Sequence, residues 1–270
     1  MMGRTHAATG VLAGLLLGPA IGLEGLAEVG PFAATCAGYA LLPDLDHPSS
    51  TITRKLGPIT RVLSAALRAM SAALYRATKG PRDEQCDGTH RHATHTVLFA
   101  VIVGAVCWAT TTAWGSWAVL VWLAFGLLLA YDRLGKLMLL PFGLAAAGWI
   151  TQVDGPAGLG PAALTALEES AGWLGIAVAA GAITHCLGDA LTESGCPFLF
   201  PLPIAGETWY ELRPPSLLRF HTGKKVENWL VFPLVVLGCV AAIPGVWPYL
   251  TEVFHSPGPV AAASLPLKPR

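Results

Sequence analysis

Residues 92–131 read HATHTVLFAVIVGAVCWATTTAWGSWAVLVWLAFGLLLAY, forty positions without one Asp, Glu, Lys or Arg. About 20 apolar residues cross a bilayer core, so this run is too long for one crossing and long enough for two. Ala113-Trp114-Gly115-Ser116, near its middle, predicts the turn between two helices, with Trp114 and Trp117 suited to the membrane interface. Composition agrees: 53% of the 270 residues are hydrophobic and 13% charged, whereas an ordinary soluble domain carries about 25% charge. The 17 basic and 17 acidic residues cancel, which removes the electrostatic case for a nucleic-acid partner.

Five further stretches lack charged residues: 5–23, 29–43, 137–153, 170–188 and 228–251. The expected fold class is therefore all-α, a polytopic transmembrane helix bundle of about seven spans. Stretch 29–43 is short for a span and reads as tilted or re-entrant. The first stretch reads as a retained helix, because His6 and the lack of a small-residue cleavage site argue against a leader peptide. Residues 62–78 are apolar but carry Arg68 and Arg76, with Arg61 just before, spacings that align the arginines on one helical face. Such a helix lies on the membrane surface or packs on a site. One membrane-embedded domain over 1–255 is expected, with 54–88 as a cytoplasmic insertion and 256–270 as a flexible tail. The six cysteines form no CxxC pair and read as small hydrophobes rather than a disulfide framework.

Threading seven spans from an inner N-terminus leaves only Lys268 and Arg270, of all the lysines and arginines, on the outer side. The positive-inside rule makes the inner side cytoplasmic and the chain a multi-pass protein of the inner (plasma) membrane. The same threading collects His6, Asp44, Asp46, His47, His90, His92, His95, His185, Asp189 and His221 at the cytoplasmic level; His255 alone is left outside.

Imidazole nitrogens with carboxylate oxygens form the ligand set of zinc, manganese or iron. His185 and Asp189 are four apart and share a helix face where an apolar run ends, a costly place for ionisable groups unless paired or metal-bound. A plain His–Asp cap is the simpler alternative. In Leu42-Pro43-Asp44-Leu45-Asp46-His47-Pro48, prolines hold an extended turn that can aim both carboxylates at one or two metals, or simply leave them in solvent. In Thr89-His90-Arg91-His92-Ala93-Thr94-His95-Thr96, either His92 or His90 can converge with His95. Arg91 reads as a clamp for a phosphoryl group, and histidines beside it can also bind lipid phosphate.

These blocks, the early His6, LPDLDHP at 42–48, HRHATHT at 90–96 and HCLGDALTESGCPFLFP at 185–201, with a looser TGKKVEN at 222–228, are the motifs in question. Together they resemble the YdjM-like family of LexA-regulated, inner-membrane-associated metal-dependent hydrolases, itself distantly similar to zinc-dependent phospholipase C. The resemblance implies a membrane-embedded helical hydrolase with His6, Asp44, Asp46, His90, His95, His185 and Asp189 as metal ligands. The chain departs from the family in carrying Thr96 where serine is common, and in the long stretch between His47 and His90.

The expected function is hydrolysis of a phosphoester in a lipid or other amphiphilic substrate. One to three divalent ions, zinc first with manganese and iron as alternatives, would activate water. Asp44 or Asp46 would orient that water or take its proton, and Arg91 would offset substrate charge. Glu193 and Thr192 are candidates for hydrogen bonds to ligating histidines. The rival readings are a non-catalytic metal-binding membrane protein and a metal transporter, whose site would lie near the bilayer midplane.

Overall fold

Among the residues that the computed structural model describes (1–47, 57–138, 143, 156–247, 249 and 251), seven α-helices form. They are α1 (Gly3–Ala20), α2 (Gly25–Tyr39), α3 (Pro58–Thr78), α4 (Val97–Trp114), α5 (Ser116–Leu134), α6 (Pro156–Ala190) and α7 (Phe232–Ala242). No strand forms among these residues; three isolated β-bridges tie the segment after α6 together.

Gly115, with φ of 59°, ends α4 and starts α5, so the long apolar run breaks at the predicted turn. Left-handed backbone there suits glycine, which has no Cβ to clash. Trp114 and Trp117 flank the turn and are exposed. Val101, Ile102, Val106 and Trp108 are exposed along α4, the surface expected where a helix meets lipid.

Three helices, not seven, are long and apolar enough to cross a membrane among the described residues: Gly25–Asp46, Val97–Trp114 and Gly160–Ala190. Ser116–Tyr131 and Glu227–Ala242 are apolar but shorter. The physical reasons differ by element. Helix α1 takes Arg4 and His6 into its first turns, which dilutes its apolar character. Asp132 and Arg133 close α5, and Pro244 follows the end of α7. The expected span 137–153 falls largely outside the described residues, as do residues 54–56 of the expected insertion and the tail 256–270. Glu168 and Glu169, which precede the charge-free stretch 170–188, lie within the same 35-residue helix α6.

The shortest of the expected spans proves central. Helix α2 packs against α1, α5 and α6, and its residues from Val29 to Tyr39 are all buried. Lipid tails are as apolar as leucine, so helices in a bilayer associate by close packing rather than by escape from water. Small residues supply that closeness here. A Cβ on Gly14 would overlap Ala33, one on Gly38 would overlap the Gly126 backbone of α5, and one on Gly181 would overlap the Cys36 carbonyl. Tyr39, fully buried, donates its hydroxyl to the Trp122 carbonyl at 2.8 Å and so pins α5 to α2.

Helix α3 is amphipathic, as its arginine spacing predicts, and it packs on the Pro43–Asp46 turn and the Ala93–His95 turn. Its buried face carries Ser64, Ser71, Ala72 and Tyr75, while Val62 and Met70 are exposed. Ser71 Oγ donates to the Gly88 carbonyl at 2.7 Å and accepts from the Ala93 amide at 3.1 Å. The histidine-bearing loop therefore rests on this helix.

Replacing Gly38 with valine drives a side chain into the α5 backbone, which cannot yield as a flexible side chain can. Overpacking of this kind typically costs about 1–3 kcal/mol, and a backbone clash belongs at the upper end. Thermal unfolding in detergent should show the loss, while Gly172→Val, where a Cβ meets nothing within 4 Å among the described residues, serves as the neutral control.

Candidate metal centre

The polar ends of four segments meet at one point. Helix α1 contributes His6 from its first turns, the turn after α2 brings Asp44 and Asp46, loop 88–96 brings His90, Arg91 and His95, and the last turns of α6 bring His185 and Asp189. His6, Asp46, His95, His185 and Asp189 are fully buried, and the Asp44 side chain is partly exposed. Two overlapping groups have ligand atoms close enough to share an ion: His6, Asp44 and His185, and His95, His185 and Asp189.

Hydrogen bonds assign the tautomers. His185 Nδ1 donates to the Ala40 carbonyl at 2.8 Å, a group at the end of α2 with few helical partners left to it. In the neutral ring that leaves Nε2 bare. His95 Nδ1 donates to Thr94 Oγ1 at 3.0 Å, and Thr94 donates onward to Asp46 Oδ2 at 2.6 Å. The bare Nε2 of His95 then faces the bare Nε2 of His185 at 3.2 Å. Burial pushes the His95 imidazole down to about 4, against the opposing pull of Asp46 and Asp189, so the ring is neutral near pH 7. Two lone pairs pointed at each other repel, and a cation between them reverses the sign.

Asp189 lies beside both rings. Its Oδ2 is 3.6 Å from His95 Nε2 and 3.7 Å from His185 Nε2, and it accepts no aligned hydrogen bond although Arg91 Nη2 is 3.1 Å away. Its Oδ1 takes His6 Nε2 at 3.1 Å and the Met1 α-amino group. The His6 ring stacks on His185 with centroids 3.7 Å apart, and its Nδ1 is buried without a partner. Buried polar atoms are normally satisfied, so orphans converging on a shared volume fit a ligand such as a metal ion. The donor chemistry, imidazole nitrogen with carboxylate oxygen, also fits.

Not every expected ligand joins these groups. Asp46 Oδ1 receives His90 Nδ1 at 2.5 Å, and its Oδ2 receives the Arg91 amide at 3.2 Å besides Thr94. Asp46 thus spends both carboxylate oxygens on His90 and the loop, His90 gives Nδ1 to Asp46, and neither residue belongs to the two groups. His47 sits edge-on to His90 at 4.6 Å, and burial holds its imidazole below the usual value. His92 turns to the far side of the loop, against Tyr75 and Trp209, so of the two open alternatives it is not the partner of His95. His221 is exposed and belongs to neither group, and His255 lies outside the described residues. Thr192 donates to the Asp189 carbonyl at 2.7 Å rather than to a histidine, and Glu193 pairs through its backbone with Phe220.

Arg91 adopts φ of 56°, a region rare for a residue with a Cβ. The turn aims its guanidinium at Asp189 while its amide holds Asp46, and its Nη1 is buried without a partner. Two contributors carried little signal in sequence: Thr94, a relay atom between His95 and Asp46, and Glu227. Glu227 is fully buried and accepts the Met2 amide and the Gly223 amide, each at 2.7 Å, which ties the start of α1 to the loop before α7. The TGKKVEN block holds that glutamate, and its place in the motif order was the one available hint.

The family model of the YdjM inner membrane protein matches residues 1–249. The chain belongs to this family. It is accordingly an inner-membrane protein whose apolar helices meet the lipid bilayer. Comparison with curated proteins and with solved structures finds no match. In this YdjM-family chain, buried His and Asp residues form groups that could hold a metal ion.

The relay through Thr94 gives a test of the assigned tautomers. Groups that orient a ligating histidine typically govern metal affinity by about 10–100-fold. Thr94→Val and Asp46→Asn should each weaken zinc binding within that range, read by competition with a chromophoric chelator. Thr96→Val, whose hydroxyl caps α4 instead, should leave zinc affinity unchanged.

Proposed function

We propose that this protein is a membrane-bound metal-dependent hydrolase that cleaves a phosphoester in a lipid or other amphiphilic substrate. The observation that supports this best is the convergence of two bare imidazole nitrogens, His95 Nε2 and His185 Nε2, with the unsatisfied Asp189 Oδ2 in a buried cup. His6 and Asp44 complete the donor set. His185 has only Nε2 to offer, because Nδ1 is committed to Ala40, so the two overlapping groups describe one principal ion position. Nitrogen and oxygen donors together favour zinc, with manganese or iron as alternatives.

A bound divalent ion would supply Lewis acidity to a phosphoryl oxygen and make water more acidic. The protein's residues divide the remaining work. Asp44, the one partly exposed carboxylate of the group, can meet an entering water and accept its proton. Asp46 is reserved for orienting His90, Thr94 and the Arg91 turn, so of the two expected bases Asp44 takes the role. Arg91 Nη1 is free to receive charge that develops on the phosphoryl oxygens. A site collected at helix ends favours hydrolysis over transport, for which a midplane site is expected. By the positive-inside rule, the basic residues near this end support a cytoplasmic site.

Purified protein should carry about one zinc and turn over a member of a phosphoester and lipid panel. His185→Ala should lose both metal and turnover. Arg91→Gln should keep the metal and lose about 10²–10³ in kcat, the scale of removing one electrostatic stabiliser. Metal retention without turnover on every panel member would instead make the chain a non-catalytic metal-binding membrane protein. Orientation has its own check. A reporter fused at residue 155 should report from the outer side, and a cytoplasmic signal would reverse the threading.

A further inference from the structure

The end of α3, loop 80–92 and segment 204–219 enclose a polar cleft of about 400 Å³. Arg82, Arg213 and Arg219 line it, together with Glu84, Glu207 and Glu211. Two of these arginines occupy seats shaped by glycine. Gly206 has φ of 87°, and a Cβ there would lie 2.7 Å from Arg82 Nη1. Gly195 has φ of 71°, and a Cβ there would lie 2.6 Å from Arg213 Cγ. Such backbone suits glycine, and the missing side chain leaves each arginine room where it lies.

The guanidinium groups are held largely by neutral atoms. Arg82 Nη1 donates to the Ala205 carbonyl at 2.8 Å, and Arg219 Nε donates to the Pro214 carbonyl at 2.7 Å. Carbonyl anchoring orients a guanidinium without forming an ion pair. Arg213 pairs with Glu211, whereas neither Arg82 nor Arg219 has an ion pair among the described residues. Guanidinium forks oriented by carbonyls, with donors left over, match the oxygens of a phosphate group.

The rim beside Arg219 has the opposite character. Leu217 is 93% exposed and Leu218 66% exposed, immediately before that arginine. Next to a phosphate-binding fork, such leucines suit an acyl chain. His92 lines the same cleft, and its loop neighbours His90, Arg91 and His95 face the buried histidines and aspartates. The cleft and the metal centre therefore lie on two sides of one short loop.

We propose that this cleft seats the phosphate-bearing headgroup of an amphiphile, with Arg82 and Arg219 on the phosphate oxygens and the chains along Leu217 and Leu218. Glu84 and Glu207 accept hydrogen bonds from the rest of the headgroup. The inference rests on the hydrolase reading only in sharing its ligand class, a phosphate-bearing amphiphile held here beside the loop that carries the metal centre.

Full-length protein in detergent, stripped of metal by chelation, separates the two. Calorimetric titration uses dihexanoylphosphatidylglycerol, glycerol phosphate, inorganic phosphate and dihexanoylglycerol. Saturable binding of the phospholipid is expected, with weaker binding of glycerol phosphate and inorganic phosphate and none of the phosphate-free lipid. Two charged hydrogen bonds are lost together in Arg82→Gln with Arg219→Gln, which should weaken phospholipid binding by about a hundredfold or more. Leu217→Asp should weaken the phospholipid and spare glycerol phosphate, while helicity and zinc affinity stay at wild-type values in every variant. Equal binding by wild type and the double variant, or binding of dihexanoylglycerol as tight as the phospholipid, overturns the phosphate seat. Glycerol phosphate binding as tight as the phospholipid overturns the amphiphile and points to a soluble phosphoester. Because no metal is present, loss of turnover elsewhere leaves this result standing, and failure here leaves the metal centre untouched.

Discussion

One hydrogen bond, from His185 Nδ1 to the Ala40 carbonyl, joins the chemistry of this protein to its architecture. It serves an end-of-helix carbonyl of α2 in a place with little access to water, where an unpaired polar group is costly. It also holds α6 against α2 at the level where Gly181 lets the two backbones approach. The bond fixes which nitrogen of His185 carries the proton, and so turns the other nitrogen toward His95 and Asp189.

Around that bond the structure separates two tasks that sequence presents as one list of polar residues. His6, Asp44, His95, His185 and Asp189 converge with donor atoms uncommitted or only lightly committed. Asp46, Thr94, His90 and the backbone of Arg91 form a second, self-satisfied cluster that holds the histidine loop in shape. Helix α3 supports the same loop from its other side through Ser71 and Tyr75. Residues between His47 and His90 are thus part of the site's scaffold as far as they are described, and the same residues help form the arginine-lined cleft.

Much of this organisation is readable in sequence because its cause is local. The charge-free run and its Gly115 break, the helical pairing of His185 with Asp189, the amphipathic face of α3 and the polar blocks at one end of the bundle follow from composition and period. Membership of the YdjM inner membrane protein family agrees with the motif order. Span count was less readable, since a charge-free window does not say whether a helix faces lipid or its neighbours. Stretch 29–43 is too short for a confident crossing because it is the buried core of the bundle, extended at both ends by Gly25–Asp46. Likewise α6 continues through Glu168 and Glu169, which a window based on charge had to exclude.

By itself the sequence determined that this chain is helical and membrane-embedded, and that the histidines and aspartates of its motif blocks gather at one level. Apolar length and residue type are properties of each segment alone. Only tertiary structure decided that His95 rather than His92 faces His185, that Asp46 orients while Asp44 is accessible, and that Arg82 and Arg219 share a cleft. Those outcomes depend on the direction of individual side chains and on which lone pairs remain unspent. Such directions arise from contacts between residues far apart in the chain, where neither spacing nor hydropathy carries information.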